Sequence, residues 1–244
     1  MRAALKTKAG LIIALVLAGG FTGVGRSMAA ASPEASPTIT ICVHNYAKVD
    51  DNTLEGAETV TEEIFVKAGV GIRWVDSDLT VEGKPEMSVG KDIFAPCHIQ
   101  LSILPSEMAE RMHIPSNLMG LAPGSGTDRK LVCVFYNRVE AVSQNQLRVR
   151  LDKRTALYAS KAKILGTAIA HELGHVLLNL EIHSSFGIMR GPWNTKDLMD
   201  VAFGTLCFTR QQAEIIRTEA QRRNMPQGSL IVAGIESPAG PYRR

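Results

Sequence analysis

The most constraining feature of this 244-residue sequence is a long apolar segment, predicted to be helical from about Arg154 to Leu178. Its apolar residues are dense enough to cover most sides of a helix, which is typical of a helix buried within a domain. The segment contains the pentapeptide HELGH, which spans His171 to His175. Because residues four apart on a helix point the same way, two imidazoles must lie together inside the fold.

Residues 1–31 are predicted to be a secretory signal peptide. Arg2, Lys6 and Lys8 give a basic start, an apolar run follows from Leu11 to Gly25, and small residues with an A-x-A-like end come next. An uncleaved membrane anchor is the alternative, since signal peptides and short anchors overlap in length. We expect cleavage at the end of this segment, no stable membrane insertion afterwards, and a secreted or periplasmic protein.

The predicted signal peptide also carries the excess positive charge of the chain. It holds four basic residues and no acidic residue, so the net charge of +3 for the whole chain becomes −1 without it. A chain with this balance lacks the basic surface that is typical of nucleic-acid binding.

Its four cysteines are an even number, and either two disulfides or four buried thiols are compatible with their spacing in an exported protein.

The rest of the chain alternates between β-rich and helical patterns. Strands are predicted at Thr38–Ala47, Val70–Val75, Cys97–Pro105 and Lys130–Val139. Further helices are predicted at 54–69 with Asn52 or Thr53 as the cap, at 106–113 as a short helix or turn, and from Thr209 to Pro226 with a Thr209–Gln212 capping box. Loops are predicted at 76–96 and 116–128. This order is typical of an α+β domain, which we place at residues 32–225, with a tail at 226–244.

The HELGH helix has the spacing of a catalytic zinc site. His171 and His175 can bind one zinc ion from one face of the helix, and Glu172 is rotated from His171 by about 100°. Glu172 therefore reaches a water molecule at the metal rather than the metal itself. Zinc lowers the pKa of such a water toward about 7, and a carboxylate can accept its proton and pass it to the leaving amine of a peptide. The pattern predicts zinc-dependent hydrolysis with Glu172 as the general base.

The segment from Lys163 to Trp193 resembles the metzincin clan of zinc peptidases, and within it the matrixins. It contains HELGH, then His183-Ser184, then Gly187-Ile188-Met189, where those families have H-E-x-x-H-x-x-G-x-x-H and a methionine turn beneath the metal. From VKAGVGIRWV to LCFTRQQAEIIR the chain is also similar to small bacterial secreted zincin-like proteins of unclear role. The resemblance implies a zincin-like fold, with a twisted mixed sheet of four to five strands packed on two long helices and a mostly irregular or helical C-terminal part. It also implies that Met189 forms the floor of the site.

The position of the third metal ligand departs from the metzincin spacing. By count the family glycine falls at Leu178 and the third histidine at Glu181, whereas the next histidine is His183. Asn179 tolerates the left-handed conformation that ends a helix, so a wider turn beginning there can bring His183 to the metal. Glu181 is the rival ligand, because a carboxylate also binds zinc.

We favour His171, His175 and His183 as the ligands of one catalytic zinc ion, although iron or cobalt is also compatible with such a set. A third option resembles the gluzincins, in which a glutamate from a later helix completes the site, here Glu214 or Glu219. We expect a secreted zinc endopeptidase that acts on polypeptides. The alternative is a secreted, catalytically inactive zinc-binding or interaction module on the same fold, and a latent peptidase is the last possibility.

Overall fold

The structure is a computed structural model that describes residues 36–76, 97–124, 130–148, 159–181 and 183–225. All of these belong to one unit, Ala35–Arg244. The predicted signal peptide, most of the predicted loop at 76–96, the first residues of the predicted helix at 154–178 and the predicted tail lie outside the described residues. Within the described part of the chain, no helix combines the length and the apolar character needed to cross a membrane.

Five strands form one mixed sheet. Their bounds are β1 Thr38–Asn45, β2 Gly71–Asp76, β3 Ile99–Leu104, β4 Gly120–Leu121 and β5 Leu131–Phe135. The spatial order is β2-β1-β3-β5-β4, in which the first four strands are parallel neighbours. The edge strand β4 runs antiparallel to β5, with Gly120 opposite Val134. The predicted α+β class with a mixed sheet of four to five strands is therefore confirmed.

The described part of the chain contains six helices. They are α1 Asp51–Lys67, α2 Ser106–Arg111, α3 Tyr136–Arg148, α4 Lys161–Leu178, α5 Thr195–Phe203 and α6 Arg210–Asn224. The Asp50 side chain caps α1 by accepting from the Thr53 N–H, so this helix begins earlier than predicted. Ser160 caps α4 in the same way. The predicted capping box of Thr209 and Gln212 is present at the start of α6.

Helices α1 and α4 pack closely against each other and, together with β1, β3 and β5, enclose the main core. Gly166 of α4 lies so near α1 that a Cβ atom there would be 2.4 Å from the carbonyl oxygen of Ala57. The Thr61 hydroxyl bridges the contact by donating to the carbonyl oxygens of Ala57 at 2.8 Å and Gly166 at 3.0 Å. Helix α4 is buried from Ile164 to Leu178, as its apolar sequence predicts.

Two sequence predictions are wrong in detail. The strand predicted at Lys130–Val139 ends at Phe135, where α3 begins, and Val139 and Val142 contact the core at helical spacing. The loop predicted at 116–128 contains β4, which is too short to produce an alternating pattern of its own. Helix α5 was also not predicted, although its capping box of Asn194 and Asp197 is a recognisable signal.

The four cysteines follow neither of the two arrangements expected from the sequence. Cys42 of β1 and Cys97 form a disulfide with a Cα–Cα distance of 5.7 Å. Cys133 of β5 is a buried thiol, and Cys207 is a partly buried thiol. One disulfide therefore links the interior strand β1 to Cys97, two residues before β3.

Candidate metal centre

Three histidines converge at the C-terminal half of α4. The ring nitrogens of His171, His175 and His183 that can bind a metal ion lie within 4.8 Å of one another. His171 and His175 are buried, and His183 is exposed. The described structure therefore brings together the three histidines that the sequence singles out, with the exposed one on the solvent side.

Hydrogen bonds fix the tautomer of the two helical histidines. His171 Nδ1 lies 2.7 Å from the carbonyl oxygen of Ile188, and His175 Nδ1 lies 2.8 Å from that of Leu180. Because a carbonyl oxygen only accepts, each Nδ1 carries the proton and each Nε2 keeps its lone pair. The two Nε2 atoms are 3.1 Å apart. Lone pairs that face each other at this distance repel unless a cation lies beside both, so the donor set fits a bound metal ion.

The protonation state of His171 is also the one that a metal requires. Burial lowers the pKa of His171 to about 4, with a smaller opposing contribution from its hydrogen bond to Ile188. The imidazole is therefore neutral at neutral pH, and only the neutral ring offers Nε2 as a ligand.

The turn after α4 follows the course predicted from Asn179. Asn179 adopts the left-handed conformation, with φ 51° and ψ 40°, and ends the helix. The Leu180 N–H then donates to the carbonyl oxygen of His175 at 3.2 Å, and the Leu180 carbonyl accepts from the ring of the same histidine. Leu180 thus forms hydrogen bonds with both the backbone carbonyl and the ring of His175.

His183 takes the third position, and Glu181 does not. The His183 ring centroid lies 5.2 Å from that of His171 and 5.0 Å from that of His175. Its ring packs on the backbone of Gly191, where a Cβ atom would be 2.7 Å from His183 Cδ2. Glu181 is exposed and lines the same cleft, but its carboxylate is outside the converging group.

The gluzincin-like option finds no support among the described residues, because the candidate glutamates of α6 form ion pairs within their own helix. Glu219 forms ion pairs with Arg222 and Arg223, both at 2.7 Å. Glu214 pairs with Arg210 at 3.3 Å. Neither glutamate belongs to the group of converging ligand atoms or lines the cleft beside the histidines.

Met189 lies beneath the HELGH helix in the position that the resemblance implies. It is fully buried, and a Cβ atom on Gly174 of α4 would be only 2.5 Å from Met189 Sδ. The Ser184 N–H donates to the Met189 carbonyl oxygen at 2.9 Å, so the chain doubles back after His183. The glycine of HELGH therefore makes room for the methionine, and the turn brings the Ile188 carbonyl to His171.

Glu172 points toward the edge strand β4 rather than toward the methionine turn. A Cβ atom on Gly120 would be 2.6 Å from Glu172 Cγ and 2.8 Å from the carbonyl oxygen of Cys133. Burial raises the pKa of Glu172 to about 8. A cation held by the neighbouring histidines acts in the opposite direction, because it favours the ionised carboxylate.

The histidines and Glu172 open onto a cleft of about 600 Å³. One wall is formed by α4 and the turn that follows it, and the other by the residues on either side of β4. The cleft residues that carry ionisable acidic or basic side chains, apart from the histidines, are Glu172, Glu181 and Arg190. Arg190 lies 3.6 Å from the buried carboxylate of Asp197. The cleft is thus open to solvent and largely apolar.

Several features of this site could not be predicted from the sequence. The indole N–H of Trp193 donates to the Ile188 carbonyl oxygen at 3.2 Å, beside the bond from His171. Neither β4 nor Gly120 left a signal in the sequence pattern. Within the described residues, His44, His98 and His113 do not belong to the converging group.

Comparisons with known proteins give one structural likeness. No protein-family model and no curated protein matches this sequence. The crystal structure of archaemetzincin from Methanopyrus kandleri, determined at 1.5 Å resolution, is similar over 78% of this chain and 99% of that chain, with 16% identity and a TM-score of 0.44. The function proposed below rests on this chain's own residues.

Proposed function

We propose that this chain is an exported, zinc-dependent endopeptidase of the metzincin type. The observation that carries the proposal is the convergence of His171, His175 and His183 beside Glu172 in an open cleft. Three histidine ligands leave a further position open, which is the arrangement of a catalytic rather than a structural zinc site. The buried Met189 under the helix supports the metzincin type, whereas a matrixin-like relationship remains a prediction.

The three histidines would hold the ion, and Glu172 would move the proton. A bound zinc ion would polarise the peptide carbonyl and lower the pKa of a water molecule. Glu172 would accept a proton from the attacking water and transfer it to the leaving amine. The hydrogen bonds from His171 and His175 to backbone carbonyls would orient both imidazoles throughout.

A polypeptide in the cell envelope or the medium is the proposed substrate. The cleft is open rather than enclosed, and β4 forms the edge of the sheet beside Glu172. An edge strand can accept an extended peptide by adding it as a further strand.

Export is supported by the basic, apolar and small-residue pattern of residues 1–31. Fractionating the producing cells and sequencing the N-terminus of the protein tests it, and a protein that stays in the cytoplasm with Met1 retained would contradict it.

The test of function pairs metal content with peptide cleavage. We expect the purified protein to hold one zinc ion per chain and to cleave members of a mixed peptide library. Glu172→Ala should keep the zinc and lose cleavage, because the proton acceptor is gone. His183→Ala should lose the zinc, and Glu181→Ala, which removes a carboxylate from the same turn, should keep both properties.

The outcomes separate the proposal from its alternatives. If wild type holds zinc but cleaves no library member, the inactive binding module replaces the peptidase. Loss of zinc in Glu181→Ala but not in His183→Ala would make Glu181 the third ligand. A wild-type protein that binds no zinc, iron or cobalt would remove the metal centre altogether.

A further inference from the structure

One arginine ties down the segment that leads into β4. The guanidinium group of Arg138, in the first turn of α3, donates through Nη2 to the Ile114 carbonyl oxygen at 2.9 Å. Its Nη1 donates to the carbonyl oxygens of Pro115, at 2.7 Å, and of Leu118. The group also lies 4.8 Å from the ring centroid of Phe135, the last residue of β5. A single side chain thus binds three backbone carbonyls within five consecutive residues.

This fork replaces hydrogen bonds that the strand itself is too short to make. β4 has two residues, and its register with β5 consists of Gly120 opposite Val134 and Leu121 opposite Cys133. The Phe135 N–H adds one backbone bond, to the Met119 carbonyl oxygen at 2.8 Å. Because an edge strand of this length has little intrinsic stability, its position depends on the anchors at its start.

The anchored segment is the wall of the cleft that faces Glu172. Residues 117–124 line the cleft, and Gly120 is in close contact with the Glu172 side chain. Only Met119 separates the Leu118 carbonyl, which Arg138 binds, from Gly120. Fixing the Leu118 carbonyl therefore fixes the distance between β4 and α4, and this distance sets the width of the cleft.

We propose that Arg138 is a positioning residue that sets the width of the cleft by holding β4 against the Glu172 side of α4. Its effect on peptide cleavage rests on the proposed function, whereas its effect on β4 does not. The planar fork of arginine is needed, because its two terminal nitrogens donate in fixed, diverging directions, whereas a lysine ammonium offers its three donors from one nitrogen on a flexible stem. Arg138 touches neither the histidines nor the substrate, so it acts only through the segment 114–118.

Amide hydrogen exchange tests the anchor without reference to activity. In Arg138→Met, exchange of peptides covering 114–122 should become at least about tenfold faster, since hydrogen bonds from a charged donor are lost. Arg138→Lys should behave in the same way, although the charge is kept. Exchange in α4 and zinc per chain should not change. Arg111→Met is the matched control, because Arg111 is an exposed arginine three residues before Ile114 and makes none of these three bonds.

Kinetics then test the consequence for the cleft. If the peptidase is active, both Arg138 variants should raise KM several-fold with a smaller change in kcat, because binding surface is lost while Glu172 stays on α4. Unchanged exchange at 114–122 would overturn the proposal, as would exchange that rises equally throughout the chain. Full rescue by Arg138→Lys would also overturn it. A wild type that cleaves nothing would contradict the proposed function, and the exchange measurement would still decide the role of Arg138.

Discussion

The two walls of the cleft are held in place by different means. One wall is formed by α4 and the turn after it, and the residues of α4 from Ile164 to Leu178 are buried. The other wall, the segment 114–122, contains a two-residue strand and is held by its short pairing with β5, by one further backbone bond from Phe135 and by one arginine. The first wall carries the three histidines, whereas the segment 114–122 contains no histidine, cysteine, aspartate or glutamate.

In the proposed function, the helix wall holds the metal ion and the strand wall faces the substrate. Metal ligands must be held to within about 0.5 Å, which favours a buried helix with fixed ring orientations. A substrate wall can be less stable, since local opening there lets a peptide enter and leave. The same kind of substitution should therefore affect mainly stability on the helix wall and mainly activity on the strand wall.

The largest effect is expected from Gly166→Ala on the helix wall. A glycine to alanine change within a helix is usually stabilising by up to about 1 kcal/mol. Here the new Cβ would lie 2.4 Å from the Ala57 carbonyl oxygen and 2.8 Å from Val60 Cβ, so α1 and α4 must move apart. We expect a loss of about 3 kcal/mol in the free energy of unfolding, measured by urea denaturation. Gly56→Ala, with its contact at 3.0 Å to a methyl group, should cost less.

A neutral or stabilising Gly166→Ala would contradict the close packing of the helix wall. The two variants differ in what the added methyl group meets. In Gly56→Ala it meets the side chain of Ala162, whereas in Gly166→Ala it meets backbone that cannot rotate away. Equal losses in both variants would show that the contact with the Ala57 carbonyl oxygen does not set the outcome.

The matching substitution on the strand wall is Gly120→Ala. The added Cβ would lie 2.6 Å from Glu172 Cγ and 2.8 Å from the Cys133 carbonyl oxygen. Because β4 is an edge strand it can shift outward, so we expect only about 1 kcal/mol of lost stability. A displacement of this size beside Glu172, the proposed general base, should lower kcat/KM about a hundredfold. A large loss of stability with full activity would reverse the assignment of the two walls.

A smaller effect is expected in the turn around Met189, which packs against α4. Trp193→Phe removes the indole N–H that shares the Ile188 carbonyl with His171. We expect zinc affinity, measured by competition with a coloured chelator, to fall about tenfold, because the His171 ring loses part of its support. Trp74→Phe is the matched control, since its indole N–H donates to Glu62 on α1 instead. Equal losses in the two variants would remove the specific role of Trp193.

The features that could be predicted from the sequence are those that depend on side chains at regular spacing. The burial of α4 follows from its apolar residues on all sides, and the HELGH spacing alone places two imidazoles on one face. The third histidine followed from a single local preference, that of Asn179 for the left-handed conformation. A family count without this step would have selected Glu181.

The features that could not be predicted depend on backbone groups. The carbonyls that orient His171 and His175 belong to Ile188 and Leu180, and any residue would supply the same oxygen. The same holds for the three carbonyls that accept from Arg138, so this arginine looks like an ordinary charged residue of a helix. β4 is formed by pairing with β5 and not by its own pattern, which is why it was predicted as a loop.

The smallest effect on stability is expected in α1, which packs against α4. Burial raises the pKa of Glu58 to about 7, with further contributions from Asp76, Glu62 and Glu55. The folded state therefore binds this proton more tightly than the unfolded state. The stabilisation is complete below the unfolded pKa of about 4.3 and is lost as the pH rises through about 7. Glu58→Gln removes this loss, because an amide does not ionise.

We expect Glu58→Gln to be more stable than wild type at pH 8 and equal to it at pH 4. The gain should be about 1 kcal/mol, because solvent around the half-buried carboxyl screens most of the effect. Urea denaturation at both pH values measures it, and comparison with wild type cancels the other titrating groups. Glu63→Gln removes an exposed charge from the same helix and should show no such pH-dependent gain. A gain at pH 8 that persists at pH 4 would mean that the added amide hydrogen bonds, and not the lost charge, stabilise α1.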